Sequence, residues 1–174
     1  TMTTTSDYTI YVTCLASYNS GVLHGAWIDA AQDPEDIAAE VSAMLAASPT
    51  PGAEEWAIHS FDMGGVQIDE YESWDRVSAL ALALEKHGPA FAAFWDSGDC
   101  EGLEPDEWVD AFADAYVGEY SSEAEFAEEL TRDCHQIPEF LEYYIDWEAM
   151  ARDLFMSDYR GADSSSGVYV FSRN

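Results

Sequence analysis

The chain has 174 residues, of which 35 are Asp or Glu and 6 are Lys or Arg, giving a formal net charge of −29. That balance excludes direct binding to nucleic acid or to an anionic membrane, since both need a basic surface, and points instead to cations or basic proteins. Hydrophobic residues at 48% and aromatics at 14% are enough for a packed core in one domain or a few small ones.

The first base is Arg76, so the first 75 residues contain no Lys or Arg. Cys14, Cys100 and Cys134 are odd in number and form no C-x-x-C pair, which argues for a reducing compartment. The N-terminus lacks the basic and apolar regions of a signal peptide, and no apolar run reaches the length of a membrane span. A soluble, cytoplasmic protein is expected.

In chain order, residues 1–7 are polar and expected to fray. Tyr8 to Leu15 alternates and is rich in β-formers, so it predicts a strand. Ser17 to Gly21 predicts a turn, and Val22 to Asp29 a second strand. Asp33-Pro34-Glu35-Asp36 predicts a helix start, with Asp33 as N-cap, Pro34 at the first helical position and acids in the first turn. Ile37, Val41, Met44 and Leu45 mark its buried face. Glu55 to Phe61 predicts a third strand.

Ser73 caps a further helix with Trp74, Val77, Leu80, Ala81 and Leu84 on one face. Gly88-Pro89 ends it, and Ala90 to Asp96 forms a short helix. Ser97 to Gly102 is a loop, and Glu104-Pro105 opens a helix over 105–116. Tyr116 to Tyr120 predicts a short strand. Ser122 with Glu125 forms a capping box for a helix to about Cys134. Ile137-Pro138 starts a helical stretch through Tyr144, which Trp147 to Phe155 continues or restarts. Ser164 to Gly167 is a turn, and Val168 to Phe171 a last strand. The expected fold is α+β, an elongated chain of three small domains. These are a three-stranded sheet plus helix over 1–70, a helical bundle over 71–115, and a small sheet plus helices over 116–174.

From Asp96 to Thr131 the chain carries thirteen carboxylates and no base. The candidate charge-bearing residues are Asp96, Glu104, Asp106, Glu107, Asp110, Asp114, Glu119, Glu123, Glu125, Glu128 and Glu129. Asp99 and Glu101 complete the run. Trp95, Trp108, Phe112, Tyr116, Tyr120 and Phe126 lie in or beside it, so this is no disordered acidic tail. On the predicted helix, Asp106, Asp110 and Asp114 fall at i, i+4 and i+8. Like charges at that spacing destabilise a helix by about 0.2–0.5 kcal/mol per pair, and here no base relieves them.

Duplex DNA carries a charge about every 1.7 Å of axis, so 29 net charges match roughly 50 Å of duplex. A compact chain of this length would be only about 40 Å across. Charge at duplex density therefore needs an elongated shape, several units in a row, or a dimer. The plainer reading is an acidic surface that serves solubility or salt tolerance. Calcium binding by an EF-hand fails in both registers of the loop after Asp96. With Gly102 at the sixth position the twelfth is Trp108, and with Asp96 at the first the third and fifth are Gly98 and Cys100. His24, His59, His87 and His135 are scattered without metal or catalytic spacing. No catalytic site, metal or cofactor is expected.

Several segments carry a resemblance: Ile10 to Asp29 (IYVTCLASYNSGVLHGAWID), Glu54 to Ile58 (EEWAI), Gly88 to Phe94 (GPAFAAF), Asp114 to Ser121 (DAYVGEYS), Ile137 to Leu154 (IPEFLEYYIDWEAMARDL) and Gly167 to Phe171 (GVYVF). Together they resemble the ArdA-type antirestriction proteins over nearly the whole chain, least over 97–104. The resemblance implies non-catalytic DNA mimics, made by plasmids and other mobile elements. It implies elongated dimers of three small domains per chain, whose carboxylates stand in for duplex phosphates. Their partner is the type I restriction–modification enzyme, whose DNA-binding groove and methyltransferase and specificity core they occupy.

The run Ile137 to Met150 corresponds to the family's antirestriction motif, which the resemblance places at or near the self-association surface. Its residues of interest are Ile137, Pro138, Phe140, Leu141, Tyr143, Tyr144, Ile145 and Trp147. They are too many for one narrow helix stripe. Either all pack inside the third domain, or some, with Tyr144 or Trp147 as candidates, are exposed and form a two-fold interface. The alternative function is an acidic module that binds metal ions or basic proteins without DNA mimicry.

Overall fold

The alternation of Tyr8 to Leu15 forms strand β1, Thr9–Cys14, with Ile10, Val12 and Cys14 fully buried. In the computed structural model, which describes residues 6–173, β1 is the middle strand of a sheet. Most of the predicted frayed start, residues 1–5, lies outside the described residues. Strand β2, Gly25–Asp29, and strand β3, Trp56–Asp62, flank β1 antiparallel, with Ile10 opposite Ile28 and Phe61. A register shift at Tyr11/Val12 bulges the β1–β3 pair.

Where a turn was expected after β1, the chain makes a short helix α1, Leu15–Asn19. The second strand is shorter than its pattern suggested. It starts at Gly25, leaving Val22 and Leu23 exposed. Of Val22–His24 only His24 meets β1, its carbonyl accepting from the Cys14 N–H at 2.9 Å, so local β-propensity is overridden at Val22 and Leu23.

Helix α2, Pro34–Ala46, starts as its sequence dictates. Asp33 Oδ1 accepts from the Glu35 N–H at 3.1 Å. Ile37, Val41 and Met44 bury against the sheet, while Leu45 is only half-buried. Helix α3, Trp74–His87, is capped by Ser73 and packs on α2, with Ser78 Oγ donating to the Gln32 carbonyl at 2.6 Å. Tyr8 Oη donates to the Leu84 carbonyl, tying the same helix to the start of the sheet. Gly88, at φ 61°, both ends α3 and starts helix α4, Pro89–Asp96, a backbone conformation that glycine adopts without penalty.

Helix α5 spans Trp108–Ala115, not 105–116. Glu104 to Glu107 instead form a turn, closed by a bond from the Glu107 N–H to the Glu104 carbonyl, and the Trp108 indole donates back to the Leu103 carbonyl. Asp106 therefore precedes the helix, and of the predicted ladder Asp110 and Asp114 alone lie on it.

Strand β4, Tyr116–Tyr120, pairs with β6, Val168–Ser172, which in turn pairs with β5, Tyr159–Asp163, giving the order β4-β6-β5. Helix α6, Glu123–Cys134, and helix α7, Trp147–Ser157, pack on one another beside this sheet. Phe126, Val168 and Val170 form the core, closed by Tyr120, Leu130, Phe155 and Tyr159. Burying Phe126 alone stabilises the sheet by about 2–3 kcal/mol. Between the helices, Glu139–Tyr144 forms a 3-10 helix.

The fold class is α+β, and among the described residues it has two three-stranded antiparallel sheets. By contacts the chain divides into two compact units, Thr1–Trp108 and Val109–Asn174. No helix among the described residues is long and apolar enough to cross a membrane.

Candidate functional site

The acidic run folds with its rings inward and its charges outward. In the first unit, Trp108 is buried and meets Trp95 edge-on at 4.7 Å, while Asp96, Glu104, Asp106 and Glu107 are exposed. Glu107 Oε2 accepts from the Glu104 N–H at 2.9 Å, which fixes one of these carboxylates against the backbone. In the second unit, Phe112 stacks on Tyr116 at 5.0 Å and meets Phe171 edge-on. Asp110, Asp114, Glu119, Glu123, Glu125 and Glu129 are exposed, and Glu128 is half-buried. Ten of the eleven candidate carboxylates thus face solvent.

Several are held in position. Hydrogen bonds from Ser164 and Ser166 in the β5–β6 turn keep the Glu119 carboxyl below the ordinary carboxylate range. Ser166 Oγ donates to Glu119 Oε1 at 2.5 Å. Glu125 is likewise lowered, first by the Ser121 backbone N–H, which donates to its Oε2 at 2.7 Å. The expected capping box is half present: Ser122 Oγ accepts from the Glu125 N–H, but Glu125 reaches the N–H of Ser121, not of Ser122. Burial, and then the neighbouring carboxylates Glu129, Asp133 and Glu125, raise the Tyr120 phenol. Tyr169 is raised by burial and then by Glu119.

The bases do little to offset this field. Arg76 pairs with Glu72 at 3.1 Å and lies over the Trp108 ring at 4.8 Å. Arg160 lies over Phe171 at 4.5 Å, and Arg173 donates to the carbonyls of Tyr159 and Phe155. Arg132 binds Glu128 at 2.8 Å and Glu142 at 3.1 Å and lies 6.0 Å from the Trp147 ring centre. These four of the six bases engage the protein's own rings, carbonyls and carboxylates. Among the described residues, no three His, Cys, Asp or Glu side chains are grouped to hold a metal ion.

The motif region is exposed. Pro138 is the N-cap of the 3-10 helix, none of whose residues is buried. Phe140 is 72% exposed, Tyr143 92% and Tyr144 83%, and Leu141 is exposed as well. Ile137, Ile145 and Trp147 are half-buried. The reading in which all of them pack inside is therefore wrong, since six residues of 3-10 helix, flanked by extended backbone at Pro138 and Ile145, have no core face to offer.

Compared with known families, the chain matches the antirestriction protein (ArdA) family over residues 10–167. This chain belongs to the ArdA family. No curated protein matches it. The ArdA match runs from β1 to the β5–β6 turn, so it takes in the acidic run and the exposed motif. The ArdA family is one of antirestriction proteins and not of known enzymes, so the function of this member is antirestriction, directed at restriction enzymes. Two features of this ArdA chain escaped sequence reasoning. One is β5, whose Arg160-Gly161-Ala162-Asp163 is poor in β-formers. The other is Arg132, whose signal was available as a Glu128/Arg132 pair at i, i+4.

Proposed function

We propose that this antirestriction protein is a DNA mimic. It occupies the DNA-binding groove of a type I restriction–modification enzyme, including the methyltransferase and specificity core, and protects incoming mobile DNA in the cytoplasm. The observation that carries this reading is the one-sign surface: ten exposed carboxylates in one run, with Arg76, Arg132, Arg160 and Arg173 engaged within the fold. A groove that holds duplex DNA must be basic. Binding the mimic replaces phosphate–Lys/Arg pairs by carboxylate–Lys/Arg pairs and releases ions from both surfaces. The layout of three small domains, 1–70, 71–115 and 116–174, belongs to this proposal. So does a homodimer joined through Phe140, Tyr143 and Tyr144, which extends the charge array beyond one chain. The exposed apolar area of that 3-10 helix supports it.

The test is competition of the purified protein against duplex DNA on a type I methyltransferase. Displacement of DNA whose affinity falls steeply with added salt is expected. Affinity that stays constant from low to high salt overturns the reading. A compact monomer that takes up calcium and leaves the enzyme on its DNA supports the acidic metal-binding alternative.

A further inference from the structure

One part of the first unit has no counterpart in a phosphate array. Leu15, Glu54, Glu55, Trp56 and Tyr71 line an open cleft of about 480 Å³. Its wall is aromatic. The Trp56 ring lies 6.5 Å from that of Tyr71 and 4.1 Å from that of Trp74, which backs it. Tyr71 is 62% exposed. Both charged lining residues are carboxylates, exposed, and none of the five is a base. The framework is firm: Trp56 begins β3 opposite Cys14, the Leu15 N–H donates to the Glu55 carbonyl at 3.0 Å, and Trp74 is the first residue of α3 behind its Ser73 cap.

The same protein shows what such a pairing of ring and carboxylate holds. Arg76 sits over Trp108 with Glu72 on its guanidinium, and Arg132 over Trp147 with Glu128 and Glu142. A guanidinium is planar, weakly hydrated and forked, so it stacks on a ring face while its N–H groups bind carboxylate oxygens. We infer that the Trp56/Tyr71 cleft accepts an arginine side chain of a basic protein partner, its plane on the rings and its donors on Glu54 and Glu55. This rests on the proposed function for the partner's identity, an enzyme with a basic DNA groove. The cleft gives the mimic a contact that duplex DNA cannot make there, one of shape and stacking added to charge.

Two arms test the inference with the full chain. In the first, N-acetyl-arginine methylamide is titrated into the protein and the indole N–H signals of Trp56 and Trp74 are followed by NMR. Shifts that saturate in the wild type, vanish in Tyr71→Leu and are absent with N-acetyl-norleucine methylamide are expected. Equal shifts with both amides, or none, overturn the inference. In the second, competition against DNA on the methyltransferase compares Tyr71→Phe, Tyr71→Leu and Glu54→Gln/Glu55→Gln. Tyr71→Phe keeps wild-type affinity, and Tyr71→Leu weakens it about five- to ten-fold with an unchanged salt slope. The double Gln variant weakens it and lowers the slope by up to about two. Tyr71→Leu competing as tightly as wild type, or Tyr71→Phe as weakly as Tyr71→Leu, sinks the role of the ring face. A wild type that binds the arginine amide but does not displace DNA refutes the mimic reading and leaves the cleft standing.

Discussion

Local hydrogen bonds shift the protonation of Glu119 and Glu125. Both have folded-state values below the ordinary 4.5. A carboxyl lowered in the folded state contributes stability at pH above its unfolded value, and the contribution is lost as pH falls through the folded one. Overall charge repulsion works the other way, easing as the acids protonate. Substituting single residues separates the two effects. Glu119→Gln and Glu125→Gln are expected to lower the unfolding temperature relative to wild type at pH 7, with the difference shrinking as pH falls below the ordinary carboxylate range. A difference that persists in acid would trace to lost packing. The thiols offer a second check at this scale. Cys14 and Cys100 are buried and Cys134 is exposed. Burial, and then Asp99, push the Cys100 thiol up to about 12. One thiol per chain is expected to react with a disulfide reagent in the native state at pH 8, and all three in denaturant; fast reaction of two in the native protein would contradict the burial pattern.

Among the elements, the helices that announced themselves were those with caps and a periodic face. Asp33-Pro34 and Ser73 begin α2 and α3 because a side-chain oxygen satisfies a free N–H there. Helix α5 starts at Trp108, although Glu104-Pro105 reads as an N-terminus. The Trp108 indole and the Glu107 carboxylate bind back to the loop instead, and such local side-chain-to-backbone choices leave no periodic trace. Strand β5 was invisible for a related reason. A Cβ on Gly161 would come 3.0 Å from Val168 Cγ2 and 2.9 Å from Glu123 Oε1, so the strand owes its glycine to close packing and its existence to β6. The helices lean on one residue above others. Phe126 meets Tyr120, Phe155 and Tyr159 at 5.0, 5.7 and 4.8 Å. Phe126→Ala is expected to destabilise the second unit by about 3–5 kcal/mol. Hydrogen exchange should then quicken across β4, β5 and β6, while Ile10 and Val12 in β1 keep their protection. Uniform loss of protection in both sheets would show that the two units unfold together.

For the whole molecule, charge was legible from composition and its exposure was not. The aromatics Trp108, Phe112 and Phe126 in the acidic run foretold a folded, one-sided distribution, and all three are buried. What composition could not show is that bases such as Arg76 and Arg132 are taken up by the fold, because their partners are a turn or more away in sequence. Nor could periodicity decide between burial and exposure for Phe140, Tyr143 and Tyr144, since a 3-10 helix has no 3.6-residue stripe. If charge is the ligand, no single carboxylate should dominate. Neutralising Asp106, Asp110 or Asp114 alone is expected to change displacement of DNA little, while the triple Asn variant lowers the salt slope by up to about three and weakens inhibition. Abolition by one reversal, with the fold intact by circular dichroism, would mean a localised site.

The strand order β4-β6-β5 has a consequence for how the protein is made. Its two outer strands pair with β6 and not with each other, and β6 comes last in sequence. The β2-β1-β3 sheet has all its strands by residue 62, so it can close early in translation. The second sheet must wait for Val168–Ser172, and until then β4 and β5 have no strand to pair with and Phe126 lacks its core partners Val168 and Val170. A nascent chain stalled short of Val168 should therefore protect β1 from protease and leave 116–163 open to it.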